Sequence, residues 1–177
     1  MRIEKDNRLI FLVLGILIGF LAYHSVSSFF PTSVVAVFSP GAQQTIVDLI
    51  DSAGQSAYVE MYVFSSDELI SSLVSAKKRG VDVRVIMEKH VMSEENTRTF
   101  ERLKSAGIEV RWASESFKLT HSKFIIIDKK TVLVGSHNWS RSALNFNREA
   151  SVIISNLPLV SEFLKVFDSD WEIATSY

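Results

Sequence analysis

The sequence predicts an α/β fold, a mixed β-sheet sandwiched by helices and preceded by a transmembrane helix. Three observations carry that reading. Short β-branched runs alternate with segments of helical period from Thr32 to the C-terminus. Apolar residues make up 47% and charged residues 22% of 177, enough for one packed domain plus an appendage and too apolar for general disorder. Finally, the fifteen uncharged residues Leu9–Tyr23 form one apolar run directly after "MRIEKDNR".

The N-terminal run comes first. Fifteen helical residues rise ~1.5 Å each and fall short of a hydrocarbon core of ~30 Å; extending through "HSVSSFF" to Phe30 reaches it. No polar face interrupts the run, which argues against a buried soluble helix. Two readings stay open: an uncleaved anchor over residues 1–31, or a signal peptide cut near Ser25–Ser28. Phe29, Phe30 and Pro31 continue the apolar character and favour the anchor. Arg2, Lys5 and Arg8 keep the N-terminus cytoplasmic, and the next charge is Asp48, so residues 32–177 are expected to be exported, tethered by a single pass or released after cleavage.

Within residues 32–177 the elements follow in order. Ser33–Phe38 is a β-branched strand ended by "SPG", and "AQQTIVDLIDSA" places Ile46, Leu49 and Ile50 at helical spacing. Ala57–Phe64 reads as a buried strand. "SSDELISSLVSAKKRG" is a helix capped by Ser65 or Ser66, acidic at its start and basic at its end, as a helix dipole favours. The strand "VDVRVIM" leads to the helix "SEENTRTFERLKSAG", closed by Gly107, with a solvated charged face. "IEVRWA", "HSKFIIID" and "TVLVGS" are strands, the last two flanking the turn "DKK"; "EASVII" and a helix from Leu157 to Ile173 complete the domain. No internal repeat is present.

Chemistry concentrates in residues 119–150. Strand residues two apart share a face, so His121 and Lys123 project together, with Ile125 and Ile127 continuing the row. If the next strand pairs with this one, the "GSHN" loop brings Ser136 and Asn138 beside His121. A nucleophilic nitrogen, a cation and an amide then converge, a set suited to phosphate: imidazole attacks phosphorus while the donors neutralise its oxygens. Either residue alone at a strand end is ordinarily a surface group; six fixed positions together are not.

His121-x-Lys123-x4-Asp128-x6-Gly135-Ser136-x-Asn138 resembles the HKD motif of the phospholipase D superfamily. "AKKRGVDVRVIM", "GSHNWS", Glu149 eleven residues after Asn138, and "LPLVSEFLKVFDSDW" resemble small bacterial Nuc-type endonucleases, a likeness running from Val34 to Trp171. That resemblance implies a phospholipase D/Nuc-like fold and phosphodiester hydrolysis without metal or cofactor, through a phosphohistidine. It also implies a homodimer, because a chain with one motif supplies half of a shared site. His121 would be nucleophile in one subunit and general acid in the other, which implies a bell-shaped pH profile. Lys123, Ser136 and Asn138 would hold phosphate oxygens or bond within the site, Glu149 would orient the imidazole, and Asp128 would stabilise the motif's loops.

No HExxH, no His/Cys cluster and no run of carboxylates points to a metal. The absence of cysteine removes the zinc module that related mitochondrial proteins can carry. For substrate, nucleic acid is the first expectation: Arg111, Lys118, Lys123, Lys129, Lys130, Arg141 and Arg148 form a local basic surplus, although the net charge is −1. Trp139 could stack a base, though a core role is favoured. Phospholipid headgroups are the alternative, with an anchor holding the site near lipid. His137, His90 and the buried-strand acid Glu60 stand outside the assigned roles.

Overall fold

The computed structural model describes residues 3–29, 33–91 and 93–176; for residues 3–6, 23–29 and 93 only the backbone is described. Two compact units result, Met1–Thr32 and Ser33–Tyr177. In the first, α1 runs Ile3–Phe29. Its described side chains from Leu9 to Leu21 are largely exposed and apolar. Among the described residues, however, no helix is long and apolar enough to cross a membrane. The described apolar stretch, Leu9–Ala22, reaches only ~21 Å at ~1.5 Å per residue. The extension on which spanning depends, through His24 to Phe30, lies outside the described side chains.

The second unit runs β1 (Ser33–Phe38), α2 (Ala42–Asp51), β2 (Ser56–Met61), α3 (Asp67–Lys78), β3 (Asp82–Met87), α4 (Ser93–Ser105), β4 (Glu109–Trp112), β5 (Lys123–Ile127), β6 (Thr131–Gly135), α5 (Arg141–Asn145), β7 (Ala150–Ser155) and α6 (Leu157–Ile173). The strands form one seven-stranded sheet in the order β1-β7-β6-β5-β2-β3-β4. β2, β3 and β4 are parallel, and every other pairing is antiparallel. The predicted mixed α/β architecture is therefore present. Helix punctuation also follows the sequence, since Ser66 caps α3 by accepting from the Leu69 amide.

Side chains alternate across the sheet and feed two cores. One holds Val59, Met61, Ile125 and Ile127 with Ile46, Leu73 and Leu103 from α2, α3 and α4. The other holds Tyr58, Phe124 and Ile126 with Phe167 and Trp171 from α6. Central strands covered on both sides must be apolar throughout, and all five residues of β5 are buried.

Two local differences from the sequence reading concern the site. The strand expected over Ala57–Phe64 ends at Met61, although the next amide, Tyr62 N–H, still donates in register to the carbonyl of Ser122, the residue before β5. Phe64 then bridges to Trp139 in parallel fashion. α5, a five-residue helix capped by Ser140, was not expected.

Candidate active site

Register alone assembles the site. Met61 at the end of β2 pairs with Lys123 at the start of β5, Gly135 at the end of β6 pairs with Ser151 of β7, and Phe38 at the end of β1 pairs with Ala150. His121, Lys123, Ser136, Asn138 and Glu149 thus gather at one edge of the sheet, the carboxyl end of the parallel strands, where open α/β sheets place their sites.

His121 lies just outside β5 and is exposed, whereas Lys123 is 8% exposed. Both approach one aromatic side chain, Tyr62. Its ring meets the His121 imidazole edge-on at 4.3 Å between centroids and lies 4.9 Å from the Lys123 ammonium. Lys123 Nζ also donates to the His121 carbonyl at 2.8 Å. Burial lowers the Lys123 pKa, and the Glu149 carboxylate partly opposes that shift. The ammonium is thus fixed, nearly dry and close to the exposed imidazole. An anion arriving at His121 meets a cation already oriented.

The Ser136–Asn138 loop is stitched to the start of β7. Ser136 Oγ donates to Glu149 Oε2 at 2.5 Å and accepts from the Ala150 amide, and the Ser136 amide donates to the Ala150 carbonyl. Asn147 Nδ2 holds the other Glu149 oxygen at 3.3 Å. Glu149 is consequently bonded to Ser136 and Asn147, and no described hydrogen bond joins it to His121. Gly135 makes this closeness possible: a Cβ there would overlap the Ser151 hydroxyl and the Ala150 carbonyl. Asn138 Oδ1 has no hydrogen-bond partner among the described residues.

Asp128 stands at the opposite edge. Its carboxylate accepts from the amides of Gly54, Gln55 and Ser56, at 2.7–3.2 Å, tying the β5–β6 turn to the start of β2. Burial works to raise its pKa, but these three amides outweigh it and the net shift is downward.

The remaining candidates separate cleanly. His137 is 1% exposed, with Nδ1 2.6 Å from the Ser151 hydroxyl, and burial lowers its pKa against the pull of Glu149. Trp139 is fully buried, edge-on to Phe64, so it cannot stack a base. His90 is exposed, 3.8 Å from the Glu115 carboxylate. The basic surplus is not one patch: Lys129 and Lys130 lie in the far turn, and Arg111 is spent on the Trp171 carbonyl and ring. Lys118 and Arg148 lie in loops and Arg141 opens α5; all three are exposed. Among the described residues no group of three His, Cys, Asp or Glu is arranged to hold a metal ion. Tyr62, which touches both His121 and Lys123, was missed by sequence reasoning, which placed it inside a buried strand.

Comparison with known proteins gives consistent results. Residues 46–171 match the family described as the PLD-like domain of cardiolipin synthase. A phospholipase D of Rickettsia prowazekii is 32% identical over 145 residues, covering 81% of this chain and 70% of that protein. A mitochondrial cardiolipin hydrolase of Mus musculus is 36% identical over 121 residues, 68% of this chain and 54% of the relative. The crystal structure of Nuc, a phospholipase D family member from Salmonella typhimurium, superposes with a TM-score of 0.78 at 32% identity, covering 83% of this chain and 99% of Nuc. The chain belongs to the phospholipase D superfamily and is a phosphodiester hydrolase.

Proposed function

We propose that the chain is a nuclease, cutting DNA or RNA internally without metal, through a phosphohistidine formed in a homodimer that shares one site. The carrying observation is the exposed His121 imidazole, which has no hydrogen-bonding partner of its own among the described residues, set beside the buried Lys123 ammonium. One chain so built offers a nucleophile and an oxyanion partner, and this reading takes the general acid from a second chain. A second copy presenting its own His121 would supply the proton for the leaving oxygen. Lys123 and Asn138 would take the non-bridging oxygens, and Glu149 and Ser136 would hold the loop that presents Asn138. Support for nucleic acid comes from the exposed cations Lys118, Arg141 and Arg148, each within three residues in sequence of an assigned site position.

A specific feature favours the second reading, phospholipid headgroup hydrolysis. A cleft of about 400 Å³ opens beside His121, walled by Phe124, Val134, Phe163 and Val166, and could receive the apolar part of a lipid. Attachment to a membrane through residues 1–31, with residues 32–177 exported, is part of the same proposal. Its support is the exposed apolar helix following Arg2, Lys5 and Arg8.

The deciding experiment offers the purified full chain single-stranded DNA, duplex DNA, RNA and phosphatidylcholine vesicles, each with and without EDTA. Cleavage of a nucleic acid that persists in EDTA and vanishes in His121→Ala supports the proposal. Turnover of vesicles alone transfers the activity to lipid, and loss of turnover in EDTA refutes the metal-free step.

A further inference from the structure

We infer that Glu88, acting with Asn96, is a positioning residue that fixes where His121 stands. The inference rests on the proposed role of His121 as the reacting group, but it concerns residues outside the motif. Glu88 follows β3 and is 4% exposed. Both of its carboxylate oxygens are taken by backbone amides: Oε1 accepts from His90 at 2.9 Å and Oε2 from Thr120 at 2.8 Å. Thr120 immediately precedes His121, so this bond anchors the backbone at the imidazole's own doorstep. Asn96, fully buried on α4, completes the frame. Its Nδ2 donates to the carbonyls of Glu88 at 2.8 Å and Tyr62 at 2.9 Å, while its Oδ1 accepts from the Phe64 amide at 3.0 Å.

Tyr62 in turn donates its amide to the Ser122 carbonyl and packs its ring against His121. The histidine is thus held on two sides, through its backbone by Glu88 and through its ring by a tyrosine that Asn96 fixes. Such an arrangement demands a carboxylate. Two N–H donors converge on one buried side chain, and a glutamine could satisfy one of them only by pointing its own N–H₂ at the other. Misplacing a reacting group by about 1 Å costs on the order of 10²-fold in rate.

The test compares the full-length enzyme with Glu88→Gln, Glu88→Asp, Leu73→Ala and His121→Ala on bis(p-nitrophenyl) phosphate, a phosphodiester with no nucleobase or acyl chain. Leu73 lies in the core of α3 and serves as a control for lost stability alone. Each variant is assayed well below its own melting temperature. The expected result is a 10- to 100-fold fall in kcat for Glu88→Gln, with KM within about threefold. Glu88→Asp, which keeps both acceptor oxygens, recovers part of that loss, and Leu73→Ala keeps the wild-type kcat. Where Glu88→Gln does not fold, Glu88→Asp carries the test through a shifted His121 ring resonance and a reduced kcat. A kcat within twofold of wild type in the folded Glu88 variants, or a loss matched by Leu73→Ala, overturns the inference. If His121→Ala stays active, the proposed function itself fails, whatever the Glu88 variants do.

Discussion

Lys123 is an ammonium group in a place that would rather have none. Burial lowers its pKa, and the Glu149 carboxylate is the charge that works to keep it protonated. Removing that charge as Glu149→Gln therefore lowers the Lys123 pKa further, and the ammonium is lost at a lower pH. The alkaline limb of the pH–rate profile should move to lower pH in this variant, beyond any overall drop in rate. An unmoved limb would separate Glu149 from the lysine. At this scale the sequence was informative about identity and less so about geometry. The spacing of His121, Lys123, Ser136, Asn138 and Glu149 marked residues that strand register brings to one end of the sheet, because register in an antiparallel hairpin follows from chain order. It could not show that Tyr62 touches both His121 and Lys123, or that Glu149 bonds Ser136. Those contacts depend on which strand lies beside β5 and on the path of the chain after β2.

Elements carry the next two expectations. Asp128 holds the turn between β5 and β6 against the start of β2 through three amides, at the sheet edge away from His121. Asp128→Asn should cost about 2 kcal/mol in chemical denaturation, the order expected when charge-assisted bonds become neutral ones. Its depressed pKa means that this stabilisation is present above the unfolded value and fades as pH falls through the folded one. The variant's stability should accordingly depend less on pH in the acid range; an unchanged midpoint would deny the turn this role.

Glu60 behaves in the opposite sense. Buried in β2 and facing Asp170 of α6, it has a pKa pushed up to about 7, with burial the largest cause. Its carboxyl form favours the fold below about pH 4.5, and that advantage is lost as pH rises through 7. The change is on the order of 3 kcal/mol across this window. Glu60→Gln should flatten the pH dependence, and a melting curve as pH-sensitive as wild type would count against the assignment. Helices α2, α3, α4 and α6 were legible because caps, Gly stops and 3.6-residue periodicity are local signals. α5 was not, since five residues after Trp139 show no period. Neither was the pairing of β1 with β7, which joins the two ends of the domain in sequence.

For the whole molecule, the proposed function turns on one motif making half a site. The chain has a single His-x-Lys pair, and its His121 is exposed at a sheet edge. Composition carries no trace of this expectation; it rests on the single occurrence of the motif and on the resemblance that gives the motif its chemistry. Mixed dimers test it most directly. Wild-type chains co-expressed with an equal amount of His121→Ala form dimers of random composition. If both imidazoles are needed, only dimers with two wild-type chains turn over, and activity per total chain falls to about one quarter of the all-wild-type value. Activity of about one half, in simple proportion to the wild-type chains present, would mean that each chain works alone and would contradict the account.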